Sequence, residues 1–225
     1  MWEELRRPID AYCERVDASL WSEPLNAVTN AAFIIAALAA LSLWLRRGRG
    51  DGPALALILV AFAVGLGSFA FHTVATVGAS LADVIPIAIF IYGYFFLAMR
   101  RYLRLGIVGG VLATIGFFAA SVLISRSLGG LVGSSAGYVP ALIALVGLGG
   151  YLATRRHPAG EGLIAAGAVF AVSLIARTVD GPLCALVPIG THFLWHVFNA
   201  IVLYVLIATA IRVGPVRSPQ TGAVE

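Results

Sequence analysis

Seven apolar runs, each bounded by charge, glycine or proline, dominate this chain. They lie at 24–45, 54–72, 81–99, 105–125, 136–154, 162–179 and 189–211. Each is near the ~20 residues that a helix needs to cross the hydrocarbon core of a bilayer. Backbone exposed to lipid must satisfy its own hydrogen bonds, and the alternating pattern of barrel strands is absent. The spacing predicts an all-α integral membrane protein, a seven-transmembrane helix bundle. Composition agrees: 60% of the 225 residues are hydrophobic and 12% charged, against about 25% charged in an ordinary soluble domain. That excludes a disordered chain, a coiled coil and almost any soluble enzyme.

The chain divides into an acidic polar cap at 1–23, the bundle at 24–211 and a loose tail at 212–225 that contains Pro215 and Pro219. The cap holds Glu3, Glu4, Asp10, Glu14, Asp17 and Glu23, six of the 11 acids. It lacks the basic stretch and apolar core of a cleaved signal peptide. All 15 basic residues are arginines, spread over short connections. They read as topogenic charge and predict no nucleic-acid binding. One set of connections carries Arg46, Arg47, Arg49, Arg100, Arg101, Arg104, Arg155, Arg156, Arg212 and Arg217; the other carries Arg6, Arg7, Arg15, Arg126 and Arg177. The positive-inside bias places the first set in the cytoplasm, with the N-terminus outside and the C-terminus inside.

An ionisable residue at the centre of a span costs roughly 2.5–3.5 kcal/mol on insertion scales, so those present mark function. Glu23, Asn26 and Asn30 open the first span; Ser68 and His72 close the second; Asp83 opens the third; His192 and His196 open the seventh. On the expected topology all reach the outer leaflet, whereas scatter would put about half on each side. Two histidines four apart share one helix face with Cβ atoms ~5–6 Å apart. They reach one metal ion together, and His72 from another helix completes a three-histidine zinc site open to water. Zinc in such a site lowers the pKa of its water to about 7. Asp83 then reads as general base and acid or as a group that orients a metal ligand, and Ser68 as the group that holds the water or a developing oxyanion. Blander roles compete. Ser68 can bond back to its own helix, Asp83 can be an N-cap, and Arg177 can pair with Asp180. Trp195, Phe193 and Phe198 can be packing, and Asn26, Asn30 and Asn199 inter-helix glue. His157, beside Arg155 and Arg156, needs no function.

The combination of Ser68-x-x-x-His72, Asp83 and His192-Phe-Leu-Trp-His196 resembles the alkaline ceramidase family, part of a wider superfamily of seven-span hydrolases that includes the adiponectin-receptor-like proteins. Tyr12-Cys13-Glu14 and Glu23-Pro-Leu-Asn26-Ala-Val-Thr-Asn30 resemble the ceramidase branch in particular. The resemblance implies a seven-helix bundle around an intramembrane zinc held by His72, His192 and His196, with Ser68 and Asp83 catalytic. The implied reaction is hydrolysis of the amide of a ceramide-like membrane lipid to a fatty acid and a sphingoid base. The resemblance also implies a calcium site in the cap, for which Asp10, Glu14, Asp17 and Glu23 are the candidates. The match is partial there: Ala11 stands where the family has an aspartate, and Val16 where it has an asparagine. It further implies a disulfide between Cys13 and Cys184, the only cysteines; the residues alone leave open two unpaired small apolar side chains.

An all-arginine, alanine- and glycine-rich chain suggests a GC-rich bacterial gene, hence a bacterial cytoplasmic membrane with the site near the outer leaflet. Many bacteria lack ceramide, so another N-acyl lipid is the second reading. A non-enzymatic sensor or transporter is the third. Against it, the polar residues cluster in one leaflet, and the chain shows no paired repeats. The sequence fixes no oligomeric state.

Overall fold

The computed structural model describes residues 2–215; the rest of the expected tail, with Arg217 and Pro219, lies outside the described residues. After a short helix α1 (Trp2–Arg6) and an irregular cap come α2 (Pro24–Thr29), α3 (Ala31–Leu43) with a π-helical turn at Trp44–Gly48, α4 (Gly52–Val74) and α5 (Val77–Arg101). Then follow α6 (Ile107–Val132), a 3₁₀ segment (Gly133–Tyr138), α7 (Val139–Thr154), α8 (Ala159–Leu183) and α9 (His192–Val213). The described residues contain no β-strand, only an isolated bridge between Pro8 and Thr76. Six stretches are long and apolar enough to cross a membrane: Pro24–Gly48, Gly52–Val74, Val77–Arg101, Ile107–Thr154, Ala159–Leu183 and His192–Val213. The chain is an all-α multi-pass membrane protein. Large apolar residues such as Ile35, Leu59, Leu112 and Ile175 are exposed on its outer faces, as lipid contact requires.

The fourth stretch is not one straight rod. The Ser125 hydroxyl donates to the Ala136 carbonyl at 3.2 Å. A continuous helix would separate residues eleven apart by about 16 Å. The chain therefore turns back within Gly133–Tyr138, starting at Gly133, whose φ is +55°.

Local chemistry explains where the helices differ from the expected runs. The Thr76 side chain accepts the Ala79 amide at 3.3 Å and starts α5 at Val77, before the expected 81. The helix α6 continues past Arg126, whose side chain is exposed and does not interrupt the apolar stretch. Gly190, with φ +70°, holds the turn that delays α9 to His192.

The core is one large cluster that includes Ile58, Leu152, Leu163 and Ile207. Packing is most extensive between α4 and α5 and between α8 and α9. At one end of the bundle, the buried Arg101 guanidinium binds both oxygens of Asp51 at 2.8 Å and the Ala210 carbonyl at 2.7 Å. Asp51 also accepts the Ala54 amide at the start of α4. This clamp joins α4, α5 and α9, and the ionisable residues of interest lie at the other end.

At that end α4 and α5 approach very closely. A Cβ at Gly67 would run into the Ala82 carbonyl and lie 3.2 Å from the Asp83 amide nitrogen. Pro86 lacks the amide hydrogen that would bond the Ala82 carbonyl inside α5. The freed oxygen therefore faces the glycine, and the contact brings Asp83 beside α4.

Candidate metal centre

His72 ends α4, while His192 and His196 occupy one face of the first turns of α9. All three are buried. One ring nitrogen from each lies within 4.8 Å of the others.

The outer nitrogens have partners that fix the tautomers. His72 Nδ1 lies 2.5 Å from Glu23 Oε2. A carboxylate only accepts, so Nδ1 carries the hydrogen. His196 Nδ1 lies 2.9 Å from the Thr29 hydroxyl, which already donates to the Leu25 carbonyl at 2.8 Å. Here too Nδ1 donates. Both Nε2 lone pairs are left facing each other at 3.1 Å. Two lone pairs at that distance repel unless a cation meets both. The third ring adds another orphan, since His192 Nδ1 is buried without a hydrogen-bond partner. Two bare nitrogens and a third ring with an unpartnered one suit a divalent metal such as zinc, and carboxylate and hydroxyl groups behind the rings are the usual support of such a site.

Asp83 lies in the second turn of α5, so it is not the N-cap, a place taken by Thr76. Its Oδ1 is buried with no partner, and its nearest polar and charged neighbours include His72, Ser68 and Arg177. Ser68 is buried one turn before His72. The five residues expected to carry the chemistry thus meet at one end of the bundle.

The cap closes over them. Tyr12 stacks on His192 with centroids 3.6 Å apart. Burial raises the pKa of its phenol, which outweighs the lowering influence of Arg177. Cys13 and Cys184 form a disulfide, with Cα atoms 5.2 Å apart and a sequence separation of 171. Ile9 donates to the Ala75 carbonyl and Val77 to that of Arg7, which ties the segment to the α4–α5 turn.

The four acids read as calcium ligands do not converge on a common point. Asp10 is exposed. Asp17 is exposed and accepts the Ser19 amide at 2.8 Å. Glu14 accepts the amides of Leu25 and Asn26 at 2.6 and 2.8 Å and so caps the start of α2. Glu23 turns inward to His72 and to Arg15, whose Nε lies 2.5 Å from Oε1. Burial alone would raise the Glu23 pKa, but the His72 and Arg15 contacts outweigh it and hold the group below the usual carboxylate range. The Arg15 guanidinium also reaches the carbonyls of Asp17, Ser19 and His72 at 3.1, 3.4 and 3.4 Å. The cation held by these oxygens is Arg15.

Asp180 does not pair with Arg177. Its Oδ1 accepts the amides of Thr191 and His192 at 2.6 and 2.9 Å, which caps α9 beneath the histidine pair, and its Oδ2 accepts the Cys13 amide at 3.1 Å. Arg177 instead donates to the Tyr12 hydroxyl at 2.7 Å and that of Ser134 at 3.2 Å. Tyr12, Arg15, Thr29 and Asp180 were not singled out from the sequence as site residues. The only signal was their nearness to Cys13, Glu23 and His192.

An apolar cavity lies alongside the histidines, lined by residues that include Phe33, Val64, Phe90, Tyr138, Trp195 and Leu206. Phe33 meets His196 edge-on at 6.2 Å, and Trp195 stacks near His192 at 6.4 Å. Two of its lining rings thus border the histidine layer, and the cavity extends from them into the bundle.

No protein-family model matches the chain, and no curated protein matches it.

Proposed function

We propose that the protein is a membrane-embedded, zinc-dependent amidohydrolase that cleaves a ceramide-like or related N-acyl lipid into a fatty acid and an amine. The observation that carries this reading is the arrangement of the three imidazoles. Two are committed by Glu23 and Thr29 to present lone pairs inward, and the half-buried Asp83, with one carboxylate oxygen buried and unpartnered, stands beside them. His72, His192 and His196 hold the metal. Zinc in such a site supplies Lewis acidity and a water acidified to near neutral pH. Asp83 accepts the proton of the attacking water and returns it to the departing nitrogen. Ser68 donates toward the carbonyl oxygen as it gains charge. The apolar cavity takes the acyl chain and keeps bulk water from the reacting centre. No calcium enters the proposal, since Arg15 occupies the oxygen cluster of the cap.

We further propose seven passes, with the turn at Gly133–Tyr138 dividing the Ile107–Thr154 stretch into two. The N-terminus and the site then face outward and the C-terminus faces the cytoplasm, in a bacterial cytoplasmic membrane.

The test is direct. Protein purified in mild detergent without chelators should carry about one zinc per chain and release fatty acid from an N-acyl lipid. Removal of zinc should stop the release, and readdition should restore it. Metal-free protein that hydrolyses as well as the metal-loaded form would overturn the proposal.

A further inference from the structure

Arg177 is a cation in the bundle without a carboxylate partner. None of the ion pairs among the described residues includes it. Its neighbour Asp180 is occupied by three backbone amides. Asp83 feels its charge but lies beyond ion-pair distance. The guanidinium has five N–H donors, of which one meets the Tyr12 hydroxyl and one that of Ser134. Its Nε is buried with no partner. Three rings surround it, those of Tyr12, Tyr138 and Trp195, with centroids 5.6, 5.3 and 5.1 Å from Cζ. Such rings hold a cation in place without neutralising it. Arg177 is half-buried toward the histidine end of the bundle; an unpaired charge there is costly, and such a charge marks a ligand site or a pathway.

Its position says which ligand. Tyr12 lies between Arg177 and His192, so the guanidinium is one ring away from the metal-ligating layer. Trp195 and Tyr138, two of the rings around it, line the apolar cavity. Tyr138 and Ser134 also line a second pocket, bounded by Val84, Tyr92 and Ser121. Arg177 lines neither, but it lies against Tyr138, the residue common to both, on the side of the histidines where the amide of a bound acyl chain would lie.

We propose that Arg177 binds an anionic group on the amine side of the substrate amide, so that the lipid is an N-acyl amino acid or a similarly charged N-acyl compound. This rests on the hydrolase reading and narrows it. The reaction is balanced with water alone: the amide C–N bond breaks, a C–O bond forms to give the fatty acid, and the nitrogen takes up a proton to leave the free amino acid.

The test compares N-dodecanoylglycine with N-dodecanoylglycinamide, which differ only in the charge of the terminal group, in micelles of a neutral detergent. Hydrogen bonds to charged groups predict a kcat/KM ratio favouring the acid by about 10- to 150-fold in the wild type. Arg177→Gln should bring that ratio close to one, mostly through KM, and Arg177→Lys should keep part of it. A readout without turnover accompanies it: N-dodecanoylglycine should raise the unfolding temperature of the chelated protein more than the glycinamide does, and Arg177→Gln should erase the difference. Equal hydrolysis of both lipids with no selective thermal shift refutes the anion subsite and leaves the hydrolase reading standing. No hydrolysis of either lipid, with the selective shift retained, refutes the hydrolase reading and leaves the subsite. Loss of activity toward both lipids in equal proportion in Arg177→Gln makes Arg177 a support for Tyr12 and overturns the inference.

Discussion

Glu23→Gln separates the two partners of one carboxylate. Glu23 is 2% exposed and bridges the His72 imidazole and the Arg15 guanidinium. The substitution keeps the shape and removes the charge. Arg15, its side chain 5% exposed, then loses its only carboxylate partner among the described residues; breaking a buried pair costs about 3–5 kcal/mol. His72 keeps an acceptor at Nδ1, but a neutral amide oxygen makes the ring less basic. Loss of such a supporting partner typically lowers metal affinity by about 10- to 100-fold, or about 1.4–2.8 kcal/mol at 1.4 kcal/mol per tenfold. The double variant Arg15→Met/Glu23→Gln removes the orphaned cation as well. Unfolding of the chelated protein should show a large loss in the single variant and a substantial recovery in the double variant. Competition with a zinc chelator should show weakened binding in both. Recovery of zinc affinity in the double variant would mean that Glu23 serves Arg15 alone, and the argument about His72 would fail.

Other outcomes follow from the same geometry. Asp83→Asn should retain zinc and lose turnover by about 10²- to 10⁴-fold, the usual contribution of a positioned acid–base group; loss of the metal as well would make Asp83 a ligand. Gly67→Ala should cost about 1–3 kcal/mol by overpacking and should lower activity by pushing α5 from α4, whereas Gly93→Ala, whose added methyl would meet only Leu57 Cδ2 at 3.9 Å, should leave both nearly unchanged. Reporter fusions at the two termini should give opposite signals, and matching signals would mean an even number of passes. Glu23 is held below its ordinary 4.5, so the stability it contributes is present above that pH and lost as pH falls through its folded value. The wild type should therefore show an acid-side loss of stability that Glu23→Gln largely lacks.

The residues of the candidate site were legible because each breaks an apolar run, and an intramembrane polar group has few reasons to exist. Ser68, His72, Asp83, His192 and His196 were found that way, and the structure gathers them. The helices were legible to within a few residues wherever the run itself set the limits. They were not where a local device did so, as with the Thr76 cap before α5 and the continuation of α6 beyond Arg126. Partnerships across the chain were the least legible. Thr29 reaches His196 across 167 residues and Glu23 reaches His72 across 49, and no periodicity encodes such distances. Arg177 and Asp180 illustrate the limit. Three residues apart on one helix, they invite a pairing, yet the free amides at the start of α9 are better partners for the carboxylate.

The position of the cap in the chain also sets an order of assembly. Its residues leave the ribosome before those of α2 to α9, and segments made earlier ordinarily fold earlier. Yet Tyr12, Cys13 and Arg15 find their partners on His192, Cys184, Asp180 and His72. The cap must therefore wait until α9 has entered the membrane, and long-range closure of this kind is slow. A chain halted at any earlier stage holds His72 without its two companions. The proposed metal site therefore cannot assemble before α9 is in place.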